Sequence, residues 1–308
     1  TARTTENGAI IMRGRHHRMG VLLGGCALLL AACTGASGSL PPTTQSGPTG
    51  NEAAQGTVPR PDHVVIVVEE NHAFGDIIGS GQAPYFASLA SQGALFTESF
   101  ALTHPSQPNY LALFSGSTQG VADDSCPHTF TADNLGHQLL AGGLGFAGYS
   151  EDLPGVGSTE CFPGEYDRDH NPWVDFTNIP VSANQPFTAF PTDYAKLPTV
   201  SFVIPDLDHD MHNGTVAQAD SWLKTNLDGY LRWAETHNSL LIVTGDEDDG
   251  SAANQIATIF VGQQVKPGSY AGRIDHYTVL RTIEAAYGLP AIGSAASARP
   301  ITGVWRAN

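Results

Sequence analysis

The stretch His63-Val64-Val65-Ile66-Val67-Val68 decides the fold class. Its apolar residues are all β-branched and no polar residue interrupts them, which is typical of a strand buried on both faces. Strands of this kind belong to mostly parallel sheets that have helices on both sides. Residues 199–204 and 239–244 repeat the pattern further along the chain. The sequence therefore predicts an α/β domain with a mostly parallel central sheet.

Helical and extended segments alternate through the rest of this domain. Helices are predicted at residues 83–91, 134–140, 220–233 and 276–286, and further strands at residues 95–97, 145–149 and 256–261. Residues 160–195 have no regular pattern, but they contain aromatic residues of the buried type. A loop of this length is expected to be functional rather than disordered. His170 lies within it and either serves a site or simply packs there.

The N-terminal segment has the organisation of an export signal. Three arginines in residues 13–18 form a basic region, and the apolar run at residues 21–32 is too short to span a membrane. The run ends in Leu30-Ala31-Ala32-Cys33, which resembles a bacterial lipobox, where the cysteine receives the lipid. A plain secretory signal is the alternative. We expect an exported protein, either a cell-envelope lipoprotein anchored to the membrane at Cys33 or a secreted protein.

Composition divides the chain into three parts. Residues 1–33 are the signal segment, in which residues 1–11 precede a start at Met12 and are not expected to be translated. Residues 34–60 are rich in Gly, Ser, Thr, Pro and Gln and have few large apolar residues, as in a flexible linker. Residues 61–308 are predicted to form one folded domain, which is long enough to bury a large core.

Charge and cysteine content restrict the partners and the compartment. The formal net charge of −16 argues against a nucleic acid as partner, because binding to a phosphate backbone requires a basic surface. Cys26 lies in the signal and Cys33 is the expected lipidation site. Export exposes the remaining pair, Cys126 and Cys161, to oxidising conditions, so we expect a disulfide between them.

Polar side chains follow three of the predicted strands, at the edge where ligands bind in open α/β sheets. Glu70 and Asn71 follow the first strand, residues 206–212 the second and residues 246–249 the third. Adjacent carboxylates repel one another unless a cation lies between them, and hard divalent cations prefer oxygen ligands. The sequence thus predicts a metal site here, with solvated acidic loops as the alternative. Glu69 is interpreted as a solvated loop residue.

A serine lies between two prolines in Thr103-His104-Pro105-Ser106-Gln107-Pro108-Asn109-Tyr110. The prolines place Ser106 at the N-cap of a helix or next to it. Free backbone N–H groups and the helix dipole favour phosphate at that position, although an ordinary capping serine is the alternative. A hydroxyl, carboxylates and histidines at one sheet edge indicate metal-assisted phosphoryl transfer. Arg168 and Arg273 are the cationic residues near these motifs that could help to neutralise a phosphate.

In their order along the chain these motifs resemble those of the bacterial phosphoesterase family of acid phosphatases and phospholipases C, within the alkaline-phosphatase-like superfamily. The resemblance extends over nearly all of residues 62–290 and rests on residues 63–71, 103–110, 170–172, 205–206, 210–212, 246–249, 276 and 279–281. The chain is most similar to secreted acid phosphatases that act as phosphatidylinositol-3-phosphatases. The resemblance implies a three-layer α/β/α sandwich.

The resemblance also implies roles for individual residues. The metal ligands would be Glu70, Asn71, Ser106, Asp246 and Glu247, with Ser106 also the nucleophile. The phosphate pocket, in which one histidine protonates the leaving oxygen, would be formed by His104, Asn109, His170, Asp210, His212 and His276. Some family members have two aspartates where this chain has Asp246-Glu247, so Asp248 is an alternative ligand.

We therefore expect an exported, metal-dependent acid phosphatase that hydrolyses phosphate monoesters, including phosphatidylinositol 3-phosphate, and acts as a monomer. Carboxylate and amide ligands suit Mg, Ca or Mn, while nearby histidines admit Zn or Fe, so the identity of the divalent metal stays open. A phospholipase C is the first alternative; the family's phospholipases tend to be longer. A non-catalytic lipoprotein that binds phosphate or metal is the second, although it would not need an activated hydroxyl.

Overall fold

The computed structural model describes residues 57–307. The predicted signal segment, the lipidation of Cys33 and residues 34–56 of the predicted linker lie outside these residues and stay predictions. Within the described range, none of the helices combines the length and the apolar character that crossing a membrane requires.

Ten strands form two sheets in the described part of the chain. They are β1 (His63–Glu69), β2 (Ala94–Phe96), β3 (Ser99–Phe100), β4 (Phe146–Ser150), β5 (Asn184–Pro186), β6 (Val200–Ile204), β7 (Ser239–Gly245), β8 (Thr258–Gly262), β9 (Gly268–Tyr270) and β10 (Ile274–Asp275). The large sheet has the order β5-β4-β6-β1-β7-β8-β2-β9, and β3 pairs with β10 separately. Only β8 runs antiparallel to its neighbours among these strands. The predicted mostly parallel sheet is confirmed.

The strand β1 lies between β6 and β7 at the centre of the large sheet. Val64, Ile66 and Val68 point into the core on one face, whereas Val65 and Val67 point into the core on the other. All five side chains are buried because helices cover both faces. This burial explains why polar residues do not alternate with apolar ones in this strand.

Six helices accompany the sheet in residues 57–307: α1 (Phe74–Ile77), α2 (Pro84–Gln92), α3 (Ser106–Ser115), α4 (Leu135–Ala141), α5 (Val216–Ala234) and α6 (His276–Tyr287). Apolar residues of α3, α4 and α6 pack on one face of the sheet. Those of α2 and α5 pack on the other face. The arrangement is the predicted three-layer α/β/α sandwich.

Two features differ from the sequence-based prediction or extend it. The helix α5 begins at Val216, four residues before the predicted start, because Thr215 and Gln218 form a capping box. The segment predicted to be irregular, residues 160–195, contains the edge strand β5 and several 3₁₀ turns, which are too short to show a period. The predicted disulfide is present and joins Cys126 to Cys161.

Candidate active site

The carboxyl ends of β1 and β7 bring acidic residues together. The two strands are parallel, with Glu69 opposite Gly245, so Glu70 and Asp246 leave the sheet at the same level. The backbone N–H of Asp246 donates a 2.9 Å hydrogen bond to the backbone carbonyl of Glu69, which holds the ends of the two strands together. Glu70, Asp246 and the following Glu247 are all buried.

Ser106 is the first residue of α3, directly after Pro105 at the N-cap, as the two prolines predicted. Its Oγ lies 3.0 Å from Glu70 Oε2 and 3.2 Å from Glu247 Oε1. The single hydroxyl proton can be donated to either carboxylate. The side chain is therefore held between acids from two different strands, at the N-terminal end of a helix that favours a bound anion.

Tyr110, one turn further along α3, supports this arrangement. Its hydroxyl donates a 2.7 Å hydrogen bond to Glu70 Oε1. Burial, together with the charge of Glu70, raises the pKa of Tyr110 well above its ordinary value, so the hydroxyl stays protonated. Its ring stacks on the ring of His170, with centroids 5.0 Å apart. Sequence reasoning missed this residue; its position four residues after Ser106, on the same helix face, was the available signal.

His170 lies between two carboxylates and is almost completely buried. Its Nε2 is 3.3 Å from Glu70 Oε1, and its Nδ1 is 3.5 Å from Asp210 Oδ2. Burial by itself lowers the pKa of His170, but the charge of Glu70 and the contacts with Asp210 outweigh it and raise the pKa to about 10. Burial raises the pKa of Asp210 to about 6. The exposed His212 donates its backbone N–H to Asp210 Oδ1, 2.8 Å away.

His104 contacts the opposite side of the acidic group. Its Nδ1 lies 2.6 Å from Glu247 Oε2, and its Nε2 lies 3.1 Å from the carbonyl oxygen of Ser251. Partial burial lowers the pKa of His104, but the hydrogen bonds to Ser251 and Glu247 raise it above the ordinary value overall. Burial raises the pKa of Glu247 to about 7. Because both ring nitrogens face acceptors, His104 is suited to the imidazolium form.

His276 begins α6 and places its Nε2 2.6 Å from the backbone carbonyl oxygen of Asp246. A carbonyl oxygen only accepts, so Nε2 carries the proton in this tautomer. Burial lowers the pKa of His276, which favours the neutral ring. Its Nδ1 has no hydrogen-bond partner among the described residues.

The acidic group fits a divalent cation. Both carboxylate oxygens of Asp246 are buried without a hydrogen-bond partner in residues 57–307. Burial and the charges of Glu70 and Glu247 raise the pKa of Asp246 well above its ordinary value. Unpaired buried carboxylates are costly, and a cation between them would remove that cost. The donors are oxygens of Glu70, Ser106, Asp246 and Glu247, the type that hard cations prefer.

Two further clusters, Glu151–Asp206–His209 and Asp167–Asp169–His170, also group potential metal ligands. The predicted ligand residues in the segment 206–212 therefore belong to two different groups. Asp210 faces the site through His170, whereas His209 forms ion pairs with Asp206 and with Glu151.

Several predicted site residues have other contacts. Asn109 uses its side-chain amide to bond backbone groups at residues 102, 103 and 105, so it shapes the turn before α3; a contact with phosphate stays a prediction. Asn71 is half-buried next to Glu70, and its predicted ligand role is likewise untested. Arg168 is buried in an ion pair with Asp175, at 2.8 Å, and is not free to neutralise phosphate.

The interpretation of Glu69 as a solvated residue is wrong. Glu69 is the last residue of β1 and is only 1% exposed. Successive side chains of a strand point to opposite faces, so Glu69 points away from Glu70 and toward the face that α5 covers. Neither of its carboxylate oxygens has a hydrogen-bond partner among the described residues.

The geometry agrees with a comparison to known protein families. The model of the Phosphoesterase family matches residues 80–290, which include Ser106, His170 and Asp246. The chain belongs to the Phosphoesterase family. The family predicted from the motifs is thus confirmed, and this phosphoesterase is a phosphoric ester hydrolase.

Curated relatives agree with this assignment. A Mycobacterium tuberculosis (strain ATCC 25618 / H37Rv) protein named phosphatidylinositol-3-phosphatase is 54% identical over 255 residues, covering 82% of this chain and 85% of the relative. An acid phosphatase of Aspergillus fumigatus is 31% identical over 231 residues, covering 67% of this chain and 51% of the relative. The chain therefore spans about half the length of that fungal relative.

Solved structures confirm the alkaline-phosphatase-like fold. A protein of the alkaline phosphatase superfamily from Vibrio parahaemolyticus superposes with a TM-score of 0.56 at 14% identity, covering 80% of this chain and 72% of the other. The phosphonate monoester hydrolase of Agrobacterium radiobacter gives 0.55 at 12% identity, covering 80% and 79%. At these identities the similarity concerns the fold alone.

Proposed function

We propose that this phosphoesterase is a metal-dependent acid phosphatase that hydrolyses phosphate monoesters, including phosphatidylinositol 3-phosphate, with Ser106 as the nucleophile. The observation that supports it most is the Ser106 hydroxyl, held between Glu70 and Glu247 at the start of α3. The choice of substrate is supported by the name of the 54% identical relative. Export, with an anchor at Cys33 or by secretion, and a monomeric state belong to the same proposal.

Glu70, Ser106, Asp246 and Glu247, with Asn71 beside them, would hold the divalent cation. When bound, the cation would neutralise the carboxylates and lower the pKa of the serine hydroxyl. Ser106 can then pass its proton to the carboxylate of Glu70 or Glu247, both within 3.2 Å. Its Oγ forms a bond to phosphorus while the bond between phosphorus and the substrate alcohol breaks.

The leaving alcohol oxygen needs a proton, and His104 is the better placed donor. Its side chain is 34% exposed at the rim of the acidic group, while His170 is locked between Glu70 and Asp210 beneath Tyr110. His104 in the imidazolium form would give its proton to the alcohol and then accept one from the attacking water. The water oxygen bonds to phosphorus as the bond to Ser106 Oγ breaks, Oγ takes back the proton held by Glu70 or Glu247, and inorganic phosphate leaves. His170 would contribute positive charge close to the phosphate oxygens.

Product identification with the full chain tests this function. The protein would be incubated with phosphatidylinositol 3-phosphate and, separately, with phosphatidylcholine. Inorganic phosphate released from the first and lost in Ser106→Ala supports the phosphatase. Ser115→Ala is the matched control, because it removes a buried hydroxyl from the same helix, bonded to the Leu111 carbonyl.

Other products would identify the alternatives. Phosphocholine released from phosphatidylcholine would make the enzyme a phospholipase C. No release from either lipid, with a simple aryl phosphate also intact after metal addition, would leave a non-catalytic binding lipoprotein.

A further inference from the structure

A cavity of about 390 Å³ lies next to the N-terminal end of α6. It is lined by the segment between β9 and α6 and by residues 299–304. Arg273 in its wall is three residues before His276, which contacts Asp246 in the active site. Three residues span at most about 11 Å, so the cavity lies close to the catalytic centre. None of its lining residues belongs to the acidic group around Ser106.

Two arginines, Arg273 and Arg299, line this cavity, and both are exposed. No carboxylate of residues 57–307 lies within 4.0 Å of either guanidinium group. By contrast, Arg168, Arg232 and Arg281 each contact a carboxylate. In a chain with 30 acidic and 14 basic residues, two uncompensated guanidinium groups at one cavity are a local cationic site.

Arg273 is also held in place before any ligand binds. Its guanidinium carbon lies 3.8 Å from the centroid of the Phe100 ring, in a cation–π contact. A stacked guanidinium loses less conformational freedom on binding than a free one, and its planar N–H groups suit a phosphate. Arg273, which the motifs predicted as a partner for phosphate, thus lines this cavity.

The rest of the wall is largely apolar. Its accessible apolar part is formed by Tyr270, Ala271 and Pro300, which are half-buried or exposed. The other apolar lining residues, Phe96, Ile274, Ile301 and Val304, are buried members of the hydrophobic core. An inorganic ion would leave this apolar surface unused. A phosphate group that continues into an apolar chain matches both halves of the lining, because the arginines would meet the charge and the apolar residues would meet the chain.

We propose that this cavity is a second, non-catalytic anion site, which binds the phosphodiester group of an anionic phospholipid in the membrane surface that presents the substrate. The inference rests on the proposed function for its choice of a lipid over a soluble phosphate ester. A protein with a net charge of −16 is repelled by an anionic membrane as a whole. A local site of this kind would offset that repulsion and hold the active site at the surface.

Vesicle binding without turnover tests the inference. The full chain, with Cys33→Ser so that no lipid can be attached, would be co-sedimented with phosphatidylcholine vesicles with or without phosphatidylinositol, which has no monoester to hydrolyse. We expect binding only when phosphatidylinositol is present. Affinity should fall roughly fivefold for each of Arg273→Gln and Arg299→Gln, and the binding should weaken with added salt.

The control is the double variant Lys196→Gln/Lys224→Gln, which removes two exposed charges that do not line the cavity. Its affinity for the vesicles should equal that of the parent. Hydrolysis of a soluble aryl phosphate should be unchanged in Arg299→Gln and in the lysine variant. Failure of the parent to hydrolyse both phosphatidylinositol 3-phosphate and the aryl phosphate after metal addition would refute the proposed function, while the vesicle measurement would still be interpretable.

Three outcomes would overturn the inference. The first is equal binding of the parent to both kinds of vesicle, and the second is an equal loss in the arginine and lysine variants. In the third, calorimetry with glycerophosphoinositol or inorganic phosphate detects arginine-dependent binding while the vesicles do not bind. That result would assign the cavity to a soluble anion.

Discussion

Replacing Tyr110 by Phe should weaken the proposed metal site without removing a proposed ligand. The substitution deletes the 2.7 Å hydrogen bond to Glu70 Oε1 but keeps the ring that stacks on His170. A buried hydrogen bond to a charged group is worth about 1.5–3 kcal/mol, or roughly 10- to 150-fold in an equilibrium constant. Losses of about 10- to 100-fold in metal affinity are usual for groups that orient a ligand. We expect the half-activating metal concentration to rise by that factor.

The assay is a metal titration of the chelator-treated protein, followed by aryl phosphate hydrolysis and, independently, by calorimetry. Tyr287→Phe is the matched control, because its buried hydroxyl donates to the Pro61 carbonyl at 3.1 Å, outside the acidic group. It should lose about 1 kcal/mol of stability and keep the parent's metal affinity. An unchanged metal affinity in Tyr110→Phe, or an equal change in both variants, would refute the reasoning.

Three other predictions concern stability. Burial raises the pKa of Glu69 above its unfolded value, so the parent should lose stability as pH rises above about 4.5, by at most about 1.4 kcal/mol per pH unit. The variant Glu69→Gln does not titrate here, so its free energy of unfolding in urea, relative to that of the parent, should increase as the pH rises. A difference that decreases with pH would contradict the raised pKa of Glu69. A Cβ atom at Gly148 would lie 2.1 Å from Trp173 Cε2, so Gly148→Ala should cost at least about 1–3 kcal/mol, and an unchanged melting temperature would count against the packing. Replacing both Cys126 and Cys161 by Ser opens a 35-residue loop and should cost about 4 kcal/mol, measured by the same unfolding assay beside the reduced parent, which should lose a similar amount.

The sequence by itself determined the layers of the fold and the position of Ser106 at the start of a helix. The run from Val64 to Val68 indicates burial on both faces of a strand, because such burial requires an apolar residue at every position of the strand. The two prolines around Ser106 act on backbone dihedrals within one or two residues. Both signals are local, so they can be interpreted without knowing which segments meet.

Only the tertiary structure decided which polar side chains meet and which are neutralised. Glu69 and Glu70 are chemically similar neighbours, yet one points into the core below α5 and the other faces Ser106, because the pleat and the register of β1 against β7 direct them apart. Arg168 is paired with Asp175, while Arg273 is held by Phe100. The contact between Arg273 and Phe100 joins segments far apart in sequence, and the pair Arg168–Asp175 lies inside a loop that has no periodic pattern. Their energy depends on burial and distance, which a local pattern does not encode.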